Sequence, residues 1–462
     1  MENWSGKKVI VIGAARQGTA LSRYLASKGA RVILTDMHSL DDLPANLPDL
    51  EKLGIQLHLG GHPLELLESA DLVCVSGGVP LTIPFIQAAL QRGIPLSNDS
   101  QIFLEACPAQ VIGITGSSGK TTTTALVGLM AQKYFEMKQN GHRAWVGGNI
   151  GNPLIEQVDQ IDEDDLVVLE LSSFQLELMT RSPQIAAILN ITPNHLDRHG
   201  SMQAYIAAKS RILRFQHAGD VAILNRDDPG SWSLAEHLKS DLISFGFQKP
   251  DSKQNGTYIY KDAIWLQLGR ESLKMLPLEW IQLPGRHNIA NVLAACAIAA
   301  AASLALPAIQ TAIEEFTGIP HRLEFIRNIN GVDWYNDSIA TAPERTMAAI
   351  EAFEGPLVLL LGGRDKNLPW DDLSQLIHQR VRAVVLFGEA AGLIERALRA
   401  VKKEETLQVI SRCNTLEEAV QAAAKLAQPG DTVLLSPGCT SFDAFKDFEE
   451  RGEYFRKLVN AL

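Results

Sequence analysis

The chain is predicted to be an α/β protein of three domains. The first and last are Rossmann-like, and the middle one is a mostly parallel sheet built around a phosphate-binding loop. Three observations predict this. The length, 462 residues, corresponds to roughly three domains at about 100–200 residues each. Three stretches, beginning at Val9, Val111 and Leu357, each open with a short apolar strand that runs into a glycine turn. Between them, continuous apolar runs alternate with helical patterns, as in a parallel sheet covered on both faces.

In the first stretch, Lys8 to Ile12 leads through Gly13 into a helical pattern that includes Tyr24 and Leu25. Arg31 to Asp36 and Leu72 to Ser76 supply the next strands. The middle stretch starts at Val111 to Thr115 and continues with strands at Leu166–Leu171, Ile185–Asn190 and Val221–Asn225. Phe316-Thr317-Gly318-Ile319-Pro320 marks its end, because Gly and Pro interrupt regular structure there. The last stretch alternates strands at Leu357–Leu361, Ala383–Phe387, Leu407–Ile410 and Thr432–Leu435 with helices. The expected domains are therefore 1–107, 108–318 and 319–462.

Charge and cysteine usage narrow the function. The formal charge is −11, from 42 basic and 53 acidic residues, with no dense Lys/Arg run. Nucleic acid is excluded as the main partner, while a small polyanion held locally is not. Cys74, Cys107, Cys296, Cys413 and Cys439 lack CxxC spacing, which argues against a zinc site or a disulfide framework and for a cytoplasmic location. Met1 to Lys8 lacks the apolar core of a signal peptide, and the Ala-rich stretch Ala290 to Leu306 is expected to be a buried helix. No membrane insertion is expected.

Thr115-Gly116-Ser117-Ser118-Gly119-Lys120-Thr121-Thr122 follows a strand and precedes a helical run. Glycines let backbone amides face phosphate oxygens, the helix N-terminus adds positive potential, Lys120 neutralises a terminal phosphate, and a Thr hydroxyl can ligate Mg²⁺. Phosphate chemistry also needs a carboxylate to hold metal. Glu170, ending the apolar run Asp165 to Glu170, is the candidate. Alone it would more often be a solvated acid or a helix cap; beside a phosphate loop the metal role is favoured. His195 and Asp197 could form a metal-shell pair, although a loop histidine is usually a surface group. Lys209, taken alone, would be a solvated helix lysine.

Gly13-Ala14-Ala15-Arg16-Gln17-Gly18, with Asp36 at the end of the next strand, almost matches the dinucleotide fingerprint. Its central glycine is Ala15, which hampers close approach of a pyrophosphate. A modified nucleotide-sugar site is therefore favoured over nicotinamide.

Taken in order, Thr115–Thr122, Glu170–Glu177, His195–Lys209, Gly285-Arg286-His287-Asn288, His321-Arg322-Leu323-Glu324, Asn336-Asp337-Ser338 and Leu361-Gly362-Gly363 resemble the Mur ligase family of ATP-dependent amide-bond-forming enzymes. Gly147-Gly148-Asn149-Ile150-Gly151, the Ser-Ser-Phe-Gln-Leu-Glu run and the segment Ser436 to Phe448 are similar to the D-glutamate-adding members. No Asp-Asn-Pro-Arg motif of the diaminopimelate-adding relatives is found.

The resemblance implies a UDP-substrate domain, a central ATPase and a C-terminal amino-acid domain. It also implies a monomer that takes UDP-N-acetylmuramoyl-L-alanine, D-glutamate, ATP and Mg²⁺ in peptidoglycan precursor synthesis. By motif match, Gly116, Ser117, Ser118, Gly119, Lys120, Thr121, Thr122, Asn288, Asn291, Arg322 and Asp337 would bind ATP. Arg16, Gln17, Asp36, Ser76, Gly77, Asn149 and Ser172 would face the UDP substrate, and Thr341, Lys366, Ser441 and Phe448 the D-glutamate. Lys120, Glu170, His195 and Lys209 would be catalytic, with Thr121, Glu170, His195 and a carbamylated Lys209 around the metal.

Two departures concern substrate anchoring. Ile339 stands where many relatives have Lys, and Ser76-Gly77-Gly78 stands where Ser-Pro-Gly is common. The alternatives left open are a Mur-type ligase for another amino acid, an ATP-dependent switch protein and an NAD-dependent oxidoreductase.

Overall fold

The computed structural model describes residues 3–40, 43, 47–151, 153–283, 285–366, 368–401 and 406–462. The chain divides into two compact units, Met1–Phe316 and Thr317–Leu462. The first unit contains two sheets and the second contains one.

The first sheet consists of β1 (Lys8–Ile12), β2 (Arg31–Asp36), β3 (Gln56–Leu59), β4 (Leu72–Val75) and β5 (Leu96–Ser97). They lie in the order β3-β2-β1-β4-β5, every pair parallel. The second sheet runs from β6 (Gln110–Thr115), β7 (Ala144–Gly148), β8 (Leu166–Glu170) and β9 (Ile185–Ile188) through β10 (Val221–Asn225) and β11 (Asp241–Phe245). It is completed by β12 (Asn255–Tyr260), β13 (Ala263–Leu268) and β14 (Glu271–Pro277), in the order β14-β13-β12-β11-β10-β9-β6-β8-β7. The third sheet has β15 (Glu324–Ile329), β16 (Val332–Asn336), β17 (Leu357–Gly362), β18 (Val381–Phe387), β19 (Val409–Arg412) and β20 (Thr432–Gly438), ordered β15-β16-β20-β17-β18-β19.

The strands expected from apolar runs are all present, with ends shifted by a few residues. Val9 to Ile12, Val358 to Leu361 and Val433 to Leu435 are fully buried, as strands covered on both faces require. The hairpins β12–β13 and β13–β14, both antiparallel, were not foreseen, although β13 contains the short apolar run Ala263 to Leu266. The turn joining β12 to β13, Lys261-Asp262, has positive φ at both residues (46° and 52°). This is the primed-turn geometry usually signalled by Asn-Gly or Asp-Gly, here without a glycine. The Ala-rich stretch forms the helix Arg286–Ala301, with Val292 to Ala299 buried. Among the described residues no helix is long and apolar enough to cross a membrane.

In each sheet the chain order reverses beside one strand: β1 lies between β2 and β4, β6 between β8 and β9, and β17 between β18 and β20. Crevices at such reversals, at the carboxyl ends of strands, are where α/β sheets bind ligands. The three glycine turns seen in the sequence leave the sheets there.

The opposite end of the central sheet is tied by Asp165, which is 3% exposed. Its Oδ1 accepts from the Arg143 amide (2.9 Å), and its Oδ2 accepts from Trp145 Nε1 (2.7 Å) and the Asp162 amide (3.1 Å). Burial by itself would raise the carboxyl pKa, but the Trp145, Arg143 and Asp162 donors outweigh it and hold the pKa below its usual value. Because the folded pKa is depressed, the stabilisation is present above the unfolded pKa and is lost as pH falls through the folded one. Asp165→Ala strands three donors and is expected to cost about 3 kcal/mol. Urea unfolding of the full chain at pH 7 and at pH 3 should show this deficit at pH 7 and a smaller one at pH 3.

Candidate active site

The phosphate loop is held by side chains from several segments. β6 ends at Thr115 and the helix Lys120–Lys138 begins behind Gly119, whose φ is 79°. The side chain of Asn190 brackets Ser118, accepting from its amide (2.9 Å) and donating to its carbonyl (3.2 Å). Ser117 donates from its amide to the Asn190 carbonyl (3.0 Å), and its hydroxyl lies 3.0 Å from the Tyr205 hydroxyl. Lys120 folds back over the loop, donating to the carbonyls of Gly116 (2.9 Å) and Ser117 (3.2 Å). Thr121 and Thr122 are half-buried in the first turn of the helix. Asn291 reaches the loop from the helix Arg286–Ala301 and donates to Asn288 Oδ1 at 3.1 Å. A Cβ on Gly119 would stand 2.3 Å from Asn291 Oδ1.

Glu170, the last residue of β8, is 2% exposed. Its Oε1 accepts from Asn149 Nδ2 at 2.8 Å, while Oε2 is buried without a hydrogen-bond partner. A buried, unpartnered carboxylate oxygen is costly to leave bare and suits a hard cation such as Mg²⁺. Asn149 reaches Glu170 because Gly148, with φ 96°, lets β7 end against β8. A Cβ on Gly148 would meet the Glu170 carbonyl oxygen at 2.2 Å.

Lys209 is only 1% exposed on the helix Met202–Arg214, contrary to the ordinary expectation for a helix lysine. Its amine donates to the Gly116 carbonyl (2.9 Å) and to Thr115 Oγ1 (3.4 Å), and lies over the Tyr205 ring. Burial, and then the neighbouring charge of Lys120, push its pKa down to about 7 against the opposing pull of Glu170.

His195 is exposed at the N-terminus of the helix Leu196–His199, with φ 52° and its ring 5.4 Å from that of Phe174. The side chain of Asp197 lies outside the described residues. What the sequence reading missed is His199, four residues on. Its Nε2 is 2.9 Å from Ser173 Oγ, its Nδ1 is 2.9 Å from Glu177 Oε1, and its ring stacks on Phe174 at 5.1 Å. It ties the His195 turn to the Ser-Ser-Phe-Gln-Leu-Glu run. Ser172 heads that run as the N-cap of the helix Ser173–Leu176, in a capping box with Gln175.

The Gly13 turn opens into a cavity of about 490 Å³. Arg16, Gln17, Asp36, Ser76 and Asn149 all line it, together with His38 and His62. Gly77 adjoins it and accepts from Arg198 Nη1 at 3.5 Å. Asp36 Oδ2 accepts from the Ala14 amide (2.7 Å), and Oδ1 accepts from the His38 amide (2.9 Å) and meets His38 Nδ1 at 2.8 Å. Burial opposes ionisation of Asp36, but these hydrogen bonds prevail and its pKa lies below the usual value. The carboxylate is therefore committed to shaping the turn and to His38. Asn149 belongs both to this cavity and to Glu170, so the cavity abuts the acid of the phosphate site.

The remaining candidates stand in the second unit. Asp337, at the end of β16, accepts from Ser436 Oγ (2.8 Å) and the Leu323 amide (3.2 Å). Burial pushes its pKa up to about 7, against these bonds and the charges of Arg322 and Arg345. Lys366 donates to Thr341 Oγ1 at 3.4 Å. Ser441 is buried after β20, and Phe448 opens the helix Phe448–Asn460. Of the ATP candidates outside the loop, Asn288 and Asn291 stand in the first unit and Arg322 and Asp337 in the second.

Residues 7–98 match the Mur ligase MurD-like N-terminal domain, 114–299 the Mur ligase middle domain, and 321–439 the Mur ligase glutamate ligase domain. The UDP-N-acetylmuramoylalanine–D-glutamate ligase of Symbiobacterium thermophilum is 42% identical, with 99% of this chain and 98% of that protein covered. The ligase of the same name from Pelotomaculum thermopropionicum is 40% identical, with 100% and 99% covered. Among solved structures, the UDP-N-acetylmuramate-alanine ligase of Thermotoga maritima shares the fold, with a TM-score of 0.52, 19% identity, and 98% of this chain and 99% of that one covered. With three domain matches in order along one chain and full-length relatives at this identity, the chain belongs to the Mur ligase family.

Proposed function

We propose that the chain is the ATP-dependent ligase that joins D-glutamate to UDP-N-acetylmuramoyl-L-alanine in peptidoglycan precursor synthesis, working as a cytoplasmic monomer. The observation that supports this best is Asn149, which lines the nucleotide-sugar cavity and also holds Glu170 beside the phosphate loop. A UDP-linked substrate in that cavity would point its far, carboxylate end toward the phosphate to be transferred. The full-length relatives supply the identity of the amino acid. In this reading residues 1–107 hold the UDP substrate, 108–318 hold ATP, and 319–462 hold the amino acid through Thr341, Lys366, Ser441 and Phe448.

A carboxylate is a poor acylating agent, so the terminal phosphoryl group of ATP passes to the alanyl carboxylate oxygen, giving an acyl phosphate and ADP. The glutamate amine then attacks the acyl carbon, and the tetrahedral intermediate collapses with loss of phosphate and a proton. Lys120 swings from the Gly116 and Ser117 carbonyls to the phosphate oxygens, where its charge offsets the charge that spreads in the transition state. Amides at the start of the helix Lys120–Lys138 point the same way. Mg²⁺, when bound, would neutralise phosphate charge; Glu170 Oε2, buried and without a hydrogen-bond partner, suits it, and the Thr121 hydroxyl and His195 would help hold it. A carbamate on Lys209 would turn a crowding cation into an oxygen donor.

Phosphate release should require ATP, the UDP-linked substrate and an amino acid together, with D-glutamate preferred over D-aspartate, L-alanine, L-lysine and diaminopimelate. Equal release with ATP alone would favour a switch protein, and preference for another amino acid would keep the class and discard D-glutamate. NAD should not bind the Gly13 cavity.

Lys120→Ala is expected to lower kcat at least a hundredfold while the melting temperature and the KM for the UDP substrate change little. Near-normal turnover would remove Lys120 from the mechanism.

CO₂ reacts only with the neutral amine, and with the Lys209 pKa near 7 that form is available at neutral pH and scarce below it. Enzyme stripped of CO₂ should regain activity on adding bicarbonate faster at pH 8 than at pH 6. Lys209→Ala should be inactive and partly restored by acetate or formate. Full activity of Lys209→Ala without additives would contradict the carbamate.

A further inference from the structure

Arg451 lies in the first turns of the helix Phe448–Asn460 and is 0% exposed. Its guanidinium is hydrogen-bonded on three sides. Nε donates to Ser338 Oγ (2.9 Å), Nη2 to the Ser338 carbonyl (2.8 Å), and Nη1 to the carbonyls of Cys439 (3.2 Å) and Thr440 (3.1 Å). Every one of these acceptors is a neutral oxygen. Other sheltered arginines of this unit are treated differently: Arg382 is paired with Asp431, and Arg456 with Glu324 at 2.6 Å. Among the described residues no carboxylate forms an ion pair with Arg451. Asp443, the acid whose charge it feels most, instead accepts from the Glu389 amide at 3.3 Å.

A fully buried charge without a counter-charge is costly, and in folded proteins such a group is ordinarily paired or serves an ion that arrives later. The surroundings indicate where that ion would sit. Thr440 immediately precedes Ser441. Ser338 precedes Thr341 by three residues, and its hydroxyl donates to the Phe448 carbonyl at 2.8 Å. One guanidinium thus fastens together the three backbone stretches that present Thr341, Ser441 and Phe448. Lys366 shares this cationic region: after burial, the charges of Arg345 and Arg451 are among the causes that hold its pKa below the usual value, against Glu344.

We propose that Arg451 is a positioning residue for the acceptor. It fixes these three stretches, and its unpaired charge makes the pocket they form selective for an amino acid with an anionic side chain. This rests on the reading of the second unit as the D-glutamate site. Arg451 touches no substrate in this scheme; it acts through the Ser338, Cys439 and Thr440 backbone and through the field it adds to that of Lys366. An Arg here meets four oxygens in a planar fork, which Lys cannot reproduce, but Lys keeps the charge.

The test compares D-glutamate with its neutral isostere D-glutamine in the full-length enzyme, at saturating ATP and UDP substrate. D-glutamine serves as substrate or, where its turnover is too slow, as competitive inhibitor. R451Q is expected to reduce the preference for D-glutamate at least tenfold, through a raised KM for D-glutamate, with the KM for ATP within threefold of wild type. R451K should raise both amino-acid constants and keep the preference within threefold. If R451Q and R451K weaken both amino acids in parallel and leave the preference unchanged, Arg451 is only a structural brace and the proposal is overturned. Should R451Q fail to fold, R451K decides through pH: a buried amine loses its proton where a guanidinium does not, so the D-glutamate preference of R451K should fall relative to wild type between pH 7 and pH 10, and a preference that tracks wild type across that range overturns the proposal. A wild-type enzyme that prefers a different amino acid refutes the D-glutamate reading itself, and that is seen before either variant is measured.

Discussion

Two lysine amines share one carbonyl oxygen. Lys120 and Lys209 each donate to the Gly116 carbonyl at 2.9 Å, one from the helix behind the phosphate loop and one from the helix Met202–Arg214. Two ammonium groups so close repel each other strongly at any effective dielectric a protein offers. The arrangement is relieved when one amine loses its proton, when an anion binds between them, or when one amine is converted to an anion. The depressed pKa of Lys209 is the first relief; a bound phosphate would be the second and a carbamate the third. Much of the surrounding structure maintains this crowding: Asn190 and Tyr205 fix the loop, Asn291 closes on Gly119, and β6 and β8 bring Glu170 to the same end of the sheet.

The three sheets solve one problem in three settings. In each, a glycine turn at the reversal of strand order releases the chain where a ligand can approach backbone, and in each another strand of the sheet carries an acid at its carboxyl end. In the first sheet this is Asp36 at the end of β2, in the second Glu170 at the end of β8, and in the third Asp337 at the end of β16. Their environments differ. Asp36 accepts two amides and faces an imidazole, so it stays ionised, whereas Asp337 has fewer donors and deeper burial, so its proton is held to about pH 7.

The strands of these sheets were legible in the sequence because burial on both faces demands unbroken apolar runs. The motif residues of the phosphate loop were legible because backbone amides can be aimed at phosphate in few ways. The hairpins β12–β14 were not, since β14 is exposed from Glu271 to Lys274 and the turn Lys261-Asp262 lacks the usual glycine. Nor was the burial of Lys209, which depends on Tyr205 and the Gly116 carbonyl coming together from segments far apart in sequence. His199 and Arg451 were missed for a related reason. Each is defined by partners it meets only in the fold, Ser173 and Glu177 for the first and Ser338, Cys439 and Thr440 for the second.

Asn149 makes the two halves of the first unit thermodynamically dependent on each other. Its amide occupies one oxygen of Glu170 while the same residue forms part of the wall of the Gly13 cavity. Any ligand of that cavity that engages the amide changes how many oxygens Glu170 can offer a cation, and any cation that draws on both oxygens changes what the amide can offer the ligand. Linkage makes the two effects equal in free energy, whichever partner arrives first. A single 2.8 Å hydrogen bond therefore links the wall of the Gly13 cavity to the acid beside the phosphate loop, without any movement of the sheets that carry them.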